Sequence, residues 1–158
     1  YCFAHLFPYD ERVQHIKIKS TEIKIINHIC LKHDGVWYHD KPLYFDFDGG
    51  CCISKRKIDM RQMIHGTMLC IEVDENQHKS YCKYDDFVRY NELVCDLTCK
   101  YIFIRFNPDK YKNNRSIRNP SLKYRLQQLD KEIYLQIKRI NDDKNEDLLE
   151  IIYMFYDK

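Results

Sequence analysis

Glycine and proline are scarce, four of each in 158 residues, and tryptophan occurs once. So little of the first two excludes collagen-like and linker-like chains. No apolar run approaches the ~20 residues that a membrane-spanning helix requires, so no membrane partner is expected. The opening Tyr1-Cys2-Phe3-Ala4-His5 has neither the basic flank nor the apolar block of a signal peptide. It also lacks Met, and so reads as a fragment or a processed chain. Neither GxGxxG nor GxxxxGK(S/T) is present, which leaves no phosphate-cradling glycine loop. An excess of either charge is missing too. Lys and Arg number 26 against 24 Asp and Glu, a formal net charge of +2, too even for a nucleic-acid coat or an acidic tail.

What is present points to a folded domain. Hydrophobic residues make up 44% of the chain, enough for a core, and the length suits one compact domain. Eight cysteines stand at positions 2, 30, 51, 52, 70, 82, 95 and 99, with no C-x-x-C pair. With no signal segment, they argue for a reducing compartment, and an intracellular location, cytoplasm or nucleus, is expected. Cys70 reads as a core thiol. Cys95 and Cys99 read as packing residues on one helical face. Cys2, His5, Cys51 and Cys52 raise a weaker alternative, a zinc-dependent interaction domain.

Hydrophobic spacing predicts a helix from Ser20 to Cys30, a short strand at Val36-Trp37-Tyr38, and a strand over Arg56–Met63 with a turn at His65-Gly66. It then predicts a strand over Thr67–Asp74, a helix over Asp85–Leu97 and a strand over Lys100–Asn107. A long helix follows Pro120 to about Ile140, and a shorter one runs through Leu148, Ile151 and Ile152. This order fits an α/β fold.

The chemistry concentrates around two strands. In Met-Leu-Cys-Ile-Glu-Val-Asp, Glu72 and Asp74 alternate with Ile71 and Val73, so both acids share a face. Carboxylates among apolar neighbours are costly to desolvate unless paired or metal-bound. Asp59, between Ile58 and Met60, repeats the pattern on the neighbouring strand. In a hairpin it would converge with Glu72 and Asp74, while Gln77 and His78 follow just beyond. An oxygen-rich set of this kind suits Mg²⁺ or Mn²⁺ better than zinc. The plainer alternative is that the acids pair with Lys57, Arg61 or Arg89.

The blocks R-K-I-D-M, G-T-M-L-C-I-E-V-D-E-N-Q-H-K-S-Y, R-Y-N-E-L and K-Y-I-F-I-R-F-N-P-D, in this order, resemble the Vsr-like branch of the PD-(D/E)XK nuclease superfamily. Closer still, they are similar to nuclease-like domains of large DNA viruses and of some algae and protists. The resemblance covers about Cys2 to Tyr111. It implies a restriction-endonuclease-like mixed sheet flanked by helices, and a metal-dependent endonuclease that hydrolyses DNA phosphodiester bonds. By the motif, Asp59 would be the metal-binding Asp and Glu72 the acid of the second half-motif. Glu22 would be the acid on the first helix. The usual Lys of that half-motif is absent and Asp74 stands in its place, a departure shared with Vsr-like relatives. The expected metal set is therefore Asp59, Glu72 and Asp74, with Gln77 or His78 orienting or deprotonating water, and Arg105 or Lys79 stabilising the phosphorane charge. A rival reading keeps the fold as a nucleic-acid-binding or scaffold module without turnover.

Basic residues supply the DNA surface. Lys100 to Arg125 contains eight Lys and Arg against the single acid Asp109. Lys110, Lys112, Arg115 and Arg118 would lie on a flexible phosphate-contacting loop. Arg105, alternating with Ile104 and Phe106, would either hold a phosphate or brace the acids. The chain thus divides into a nuclease domain over 1–119 and a C-terminal helical extension over 120–158. The stripe Leu122, Leu126, Leu129, Ile133, Ile137 would serve a homodimer or pack on the domain.

Overall fold

The computed structural model describes residues 21–40, 57–78, 83–96 and 99–158. Cys2, His5, Cys51, Cys52 and Lys79 lie outside the described residues.

Helix α1 (Thr21–Lys32) carries Glu22 in its first turn and Lys32 in its last, each at the end of the helix dipole that favours its charge. Its Ile25, Ile26 and Ile29 are buried. Strand β1 (Tyr38–His39) is short and exposed. Strands β2 (Met60–Ile64) and β3 (Thr67–Val73) form an antiparallel hairpin, with Met60 opposite Ile71 and Ile64 opposite Thr67. Its two loop residues, His65 (φ 45°) and Gly66 (φ 77°), both adopt positive φ. That is the two-residue turn whose twist matches a hairpin.

A 3₁₀ turn (Glu75–His78) and helix α2 (Lys83–Asp96) lead to strand β4 (Lys100–Phe106), which runs parallel to β3. Every residue of β3 is buried, and so is β4 apart from Lys100, as expected of parallel strands covered on both faces. Then come β5 (Tyr111–Asn113), β6 (Ser116–Arg118), α3 (Leu122–Asn141) and β7 (Leu149–Met154). Ser121 caps α3 by accepting the Tyr124 N–H at 3.3 Å.

The main sheet has the order β1-β2-β3-β4-β7, and β5 and β6 form a separate hairpin. Alternation sorts its side chains onto two faces. Leu69, Ile71, Val73, Ile102, Ile104 and Phe106 pack with Ile25 and Ile29 of α1 and Leu129 and Ile133 of α3. Met68, Cys70, Tyr101 and Phe103 pack with Tyr90 and Leu93 of α2. The expected α/β class is thus present: a mixed sheet with α1 and α3 on one face and α2 on the other.

Two expectations are corrected. The second tail helix is strand β7, whose Leu149 to Met154 pair in parallel with Tyr101 to Phe106. Residues 120–158 are therefore not a wholly helical extension, since β7 is a strand of the main sheet and α3 packs on one of its faces. Of the two readings of the α3 stripe, packing on the domain is the one present, with Leu129 and Ile133 fully buried and Leu122, Leu126 and Ile137 packed against the same core. Cys99 lies beyond α2 at the start of β4, half-buried, while Cys95 on the helix is exposed. Cys70 is the fully buried thiol expected.

No helix among the described residues is long and apolar enough to cross a membrane.

Candidate functional site

The acids gather where β3 and β4 end. Glu72 and Asp74 share parity with Met68 and Cys70, so both project toward α2, on the same face as expected. Asp59 does not stand in a strand. It sits at the bend before β2, and its Oδ2 accepts the Val73 N–H at 2.8 Å. That bond fixes its carboxyl beside the backbone that carries Glu72. Glu22, at the head of α1, faces His39 of β1 at 3.5 Å.

Each inner acid has a cationic partner. Glu72 is paired with Arg89 of α2, and the same Arg89 Nη2 donates to the Lys57 carbonyl at 2.8 Å. Asp74 accepts from Arg105 Nε and from the Tyr156 hydroxyl. Arg105 Nη1 also donates to Asp86 at 3.0 Å and to the Tyr90 hydroxyl at 2.9 Å. The Arg89–Glu72 pair is the plainer alternative that the sequence allowed for the acids, whereas Tyr156 was absent from the expected site. The sequence offers little signal for Tyr156, since 82 positions separate it from Asp74.

Electrostatics ties the group together. Burial pushes the Glu72 carboxyl up to about 8; Arg89 pulls part of this back, while Asp59 and Asp74 add to it. Asp59 is also raised, first by burial, then by Glu22 and Asp74, against the Val73 hydrogen bond and Arg89. Burial works against charge on Arg105, yet Asp74 and Tyr90 more than offset it and hold the guanidinium firmly protonated. The Tyr156 phenol is raised by burial and by its bond to Asp74. These side chains form two units. Asp74, Arg105, Tyr90 and Tyr156 make one hydrogen-bonded network around the buried Asp74 and Arg105. Asp59, Glu72 and Arg89 make a second, nearer solvent, with Arg89 16% exposed.

Several expected roles change in consequence. Arg105 is 2% exposed and bonded to Asp74, Asp86 and Tyr90, the geometry of the bracing alternative rather than of an open phosphate contact. Asp74 is wholly buried and anchored by Arg105, which takes it out of the metal set. Gln77 (φ 58°) is clasped at both ends of its amide by Asp157: Nε2 donates to Oδ1 and Oε1 accepts the backbone N–H, each at 2.9 Å. It is not available to orient water. The backbone of His78 ends the 3₁₀ turn, and the expectation for its side chain lies outside what the structure describes.

The basic segment is a built hairpin rather than a flexible loop. Asn114 (φ 46°) and Arg115 (φ 67°) turn the chain between β5 and β6. Lys110, Lys112, Arg115 and Arg118 are all exposed, as a phosphate-contacting surface needs. The hairpin is moored to the end of the chain, because Lys112 N donates to Asp157 Oδ1 at 2.7 Å and Lys158 N to the Lys112 carbonyl at 3.0 Å. Arg125, counted among the eight basic residues, is fully buried. It donates to the Asn107 and Pro120 carbonyls and lies over the Tyr111 and Phe155 rings. It holds the hairpin's root rather than a ligand.

Among the described residues no three His, Cys, Asp or Glu side chains form a ready-made metal cage. The donor chemistry nonetheless fits a hard cation in part. Mg²⁺ is commonly held by one or two carboxylates together with water and substrate phosphate, rather than by an all-protein cage. Asp59 and Glu72 are two mutually repelling carboxyls fixed at one strand end, and a divalent cation would relieve that repulsion.

A cavity of about 490 Å³ opens at the opposite end of the sheet, lined in part by His65, Thr67, Cys99, Lys100 and Asp143. Lys100 there is tied to the Asn145 carbonyl at 2.6 Å, and Asn145 to Thr67 Oγ1 at 2.7 Å. That end is joined by structural bonds and holds none of the clustered acids.

No family model matches the chain, and no curated protein or solved structure is significantly similar to it.

Proposed function

We propose that this chain is a metal-dependent endonuclease that hydrolyses DNA phosphodiester bonds on a restriction-endonuclease-like fold. One observation carries the reading: Asp59 and Glu72 are fixed at neighbouring strand ends and both are held above the ordinary carboxyl range, with like charges adding to the effect of burial. Clustered acids of this kind are costly unless a cation uses them. The sheet with helices on both faces is of the type the PD-(D/E)XK resemblance implies, and the exposed hairpin offers a basic surface.

Asp59 and Glu72 would hold Mg²⁺ or Mn²⁺, with Glu22 at the rim of the cluster. When bound, such a cation lowers the pKa of water and neutralises phosphate charge. Val73 orients the Asp59 carboxyl through its N–H. Asp74 and Arg105 keep the strand ends in register from below. We keep His78 as the group that takes the water proton. Lys110, Lys112, Arg115 and Arg118 would contact the DNA backbone and set its approach.

A second reading has its own support. Glu72 and Asp74 are already paired with Arg89 and Arg105, which also suits a nucleic-acid-binding or scaffold module without turnover. Incubating supercoiled and linear DNA with the protein and Mg²⁺ or Mn²⁺ decides between them. Cation-dependent nicking or linearisation supports the nuclease. DNA binding with no cleavage under either cation supports the module.

A further inference from the structure

The two arginines at the acid cluster are placed differently. Arg105 is sealed, 2% exposed, and shared among Asp74, Asp86 and Tyr90. Arg89 reaches in from α2 at the solvent side and is 16% exposed. Its Nη2 spans Glu72 and the Lys57 carbonyl, two residues before Asp59. Its guanidinium thus stands as a monovalent cation among the acids to which the proposed function gives a divalent one. Asp59 and Glu72 both feel its charge.

We propose that Arg89 is an exchangeable partner of Glu72: it pairs with the acid in the cation-free chain and, once a divalent cation takes Glu72 with Asp59, turns to hold the DNA phosphate at the site. The proposal rests on the nuclease reading for the identity of the ligands, but its test does not depend on cleavage. The chemistry favours the exchange. A guanidinium forks onto phosphate as well as onto carboxylate, and a divalent ion outcompetes one unit of charge for a hard oxygen. Arg89 sits on a helix surface with a long stem, so its head can swing while α2 stays packed through Tyr90 and Leu93.

The test compares wild type with Arg89→Gln, Arg89→Lys and Glu72→Gln, after thermal melts confirm that each is folded. Mn²⁺ affinity is read on the protein alone by electron paramagnetic resonance of the free ion. Affinity for a short fluorescent DNA duplex is read by anisotropy with and without Ca²⁺. Removing the competing charge in Arg89→Gln should tighten Mn²⁺ binding by roughly tenfold, because unit charges a few ångströms apart still couple strongly at a protein surface. The same variant should lose roughly tenfold of the Ca²⁺-dependent gain in DNA affinity, the scale of a charge-assisted hydrogen bond. Arg89→Lys, which keeps the charge without the fork, should fall between. Glu72→Gln should lose Mn²⁺ binding.

Mn²⁺ affinity unchanged or weakened in Arg89→Gln overturns the exchange. Tighter Mn²⁺ binding with an undiminished Ca²⁺-dependent gain overturns the phosphate contact. A wild type that follows the predicted pattern but never cleaves DNA upholds the exchange and removes the nuclease. A wild type that binds no Mn²⁺ overturns both.

Discussion

Glu72 and Arg105 lie directly opposite each other on the parallel strands β3 and β4, yet each takes its hydrogen-bonded ion pair elsewhere. Glu72 turns outward to Arg89 on α2, and Arg105 reaches Asp74, two positions further along the chain. This offset divides the acids between a network that holds the strand ends together around Asp74 and a second group in which Glu72 meets the partly exposed Arg89. The assignments of structural and ligand-binding roles follow from that division.

Stability should depend on pH through Glu72. Its carboxyl sits near 8 in the folded chain against about 4.5 when free. Between those values the folded state keeps a proton that the unfolded chain has lost, so the contribution is complete below about 4.5 and is lost as pH rises through about 8. Thermal midpoints measured from mildly acidic to mildly alkaline pH, without divalent cations, should therefore decline. In Glu72→Gln, which cannot ionise, the decline should flatten. An equally steep decline in the variant would contradict the assignment.

The network around Asp74 should be worth more to the fold than the second group. Arg105→Met strands Asp74 in the interior, and losing one partner of a buried pair typically costs about 3–5 kcal/mol. Adding Asp74→Asn should recover part of that loss, because no charge is then left alone. Denaturant unfolding of both variants measures the difference. A loss below about 1 kcal/mol for Arg105→Met, the range of exposed pairs, would place Arg105 outside the structural core.

A second clamp joins α1 to α3. His28 and His33 both direct Nε2 at Asp130, at 2.9 and 3.0 Å, and the three side chains are partly buried. Asp130→Ala removes the shared acceptor and should cost about 1–2 kcal/mol by denaturant unfolding. Asp130→Asn, which keeps one acceptor oxygen, should cost less.

The hairpin carries the prediction for DNA. Neutralising Lys112, Arg115 and Arg118 together should weaken binding to every sequence tested. It should also flatten the plot of log affinity against log salt by roughly 0.9 for each phosphate that is no longer neutralised. All three side chains are exposed, so the melting temperature should hardly move. An unchanged salt slope would show that DNA binds elsewhere.

Much of the α/β frame was legible because β3 and β4 are apolar runs too short for helices, separated by an amphipathic stretch of helical length. The acids were legible because an Asp or Glu inside such a run is anomalous. Strand β7 was not legible. Leu148, Ile151 and Ile152 satisfy helical spacing, and only the parallel partner β4, distant in sequence, draws the segment into the sheet. The β5–β6 hairpin has a local signal, an Asn-Arg pair able to take positive φ between two short alternating segments, but the surrounding charge masks it. Arg105's place inside the apolar run of β4 was a local sign of its burial, but Asp74's attachment to Tyr156 has no local signature, since it follows from how the chain's final residues close over the sheet.

Whether Asp59 and Glu72 hold the cation that cleaves DNA is decided by single-turnover cleavage of supercoiled DNA in Mg²⁺ or Mn²⁺, comparing wild type with folded Asp59→Asn and Glu72→Gln. Wild type should cleave only with the cation present. Each variant should lose about 10²-fold or more, the scale of removing a preorganised electrostatic contact, while keeping its DNA binding in the absence of cation. Cleavage by either variant at the wild-type rate would contradict the assignment of both acids to the cation.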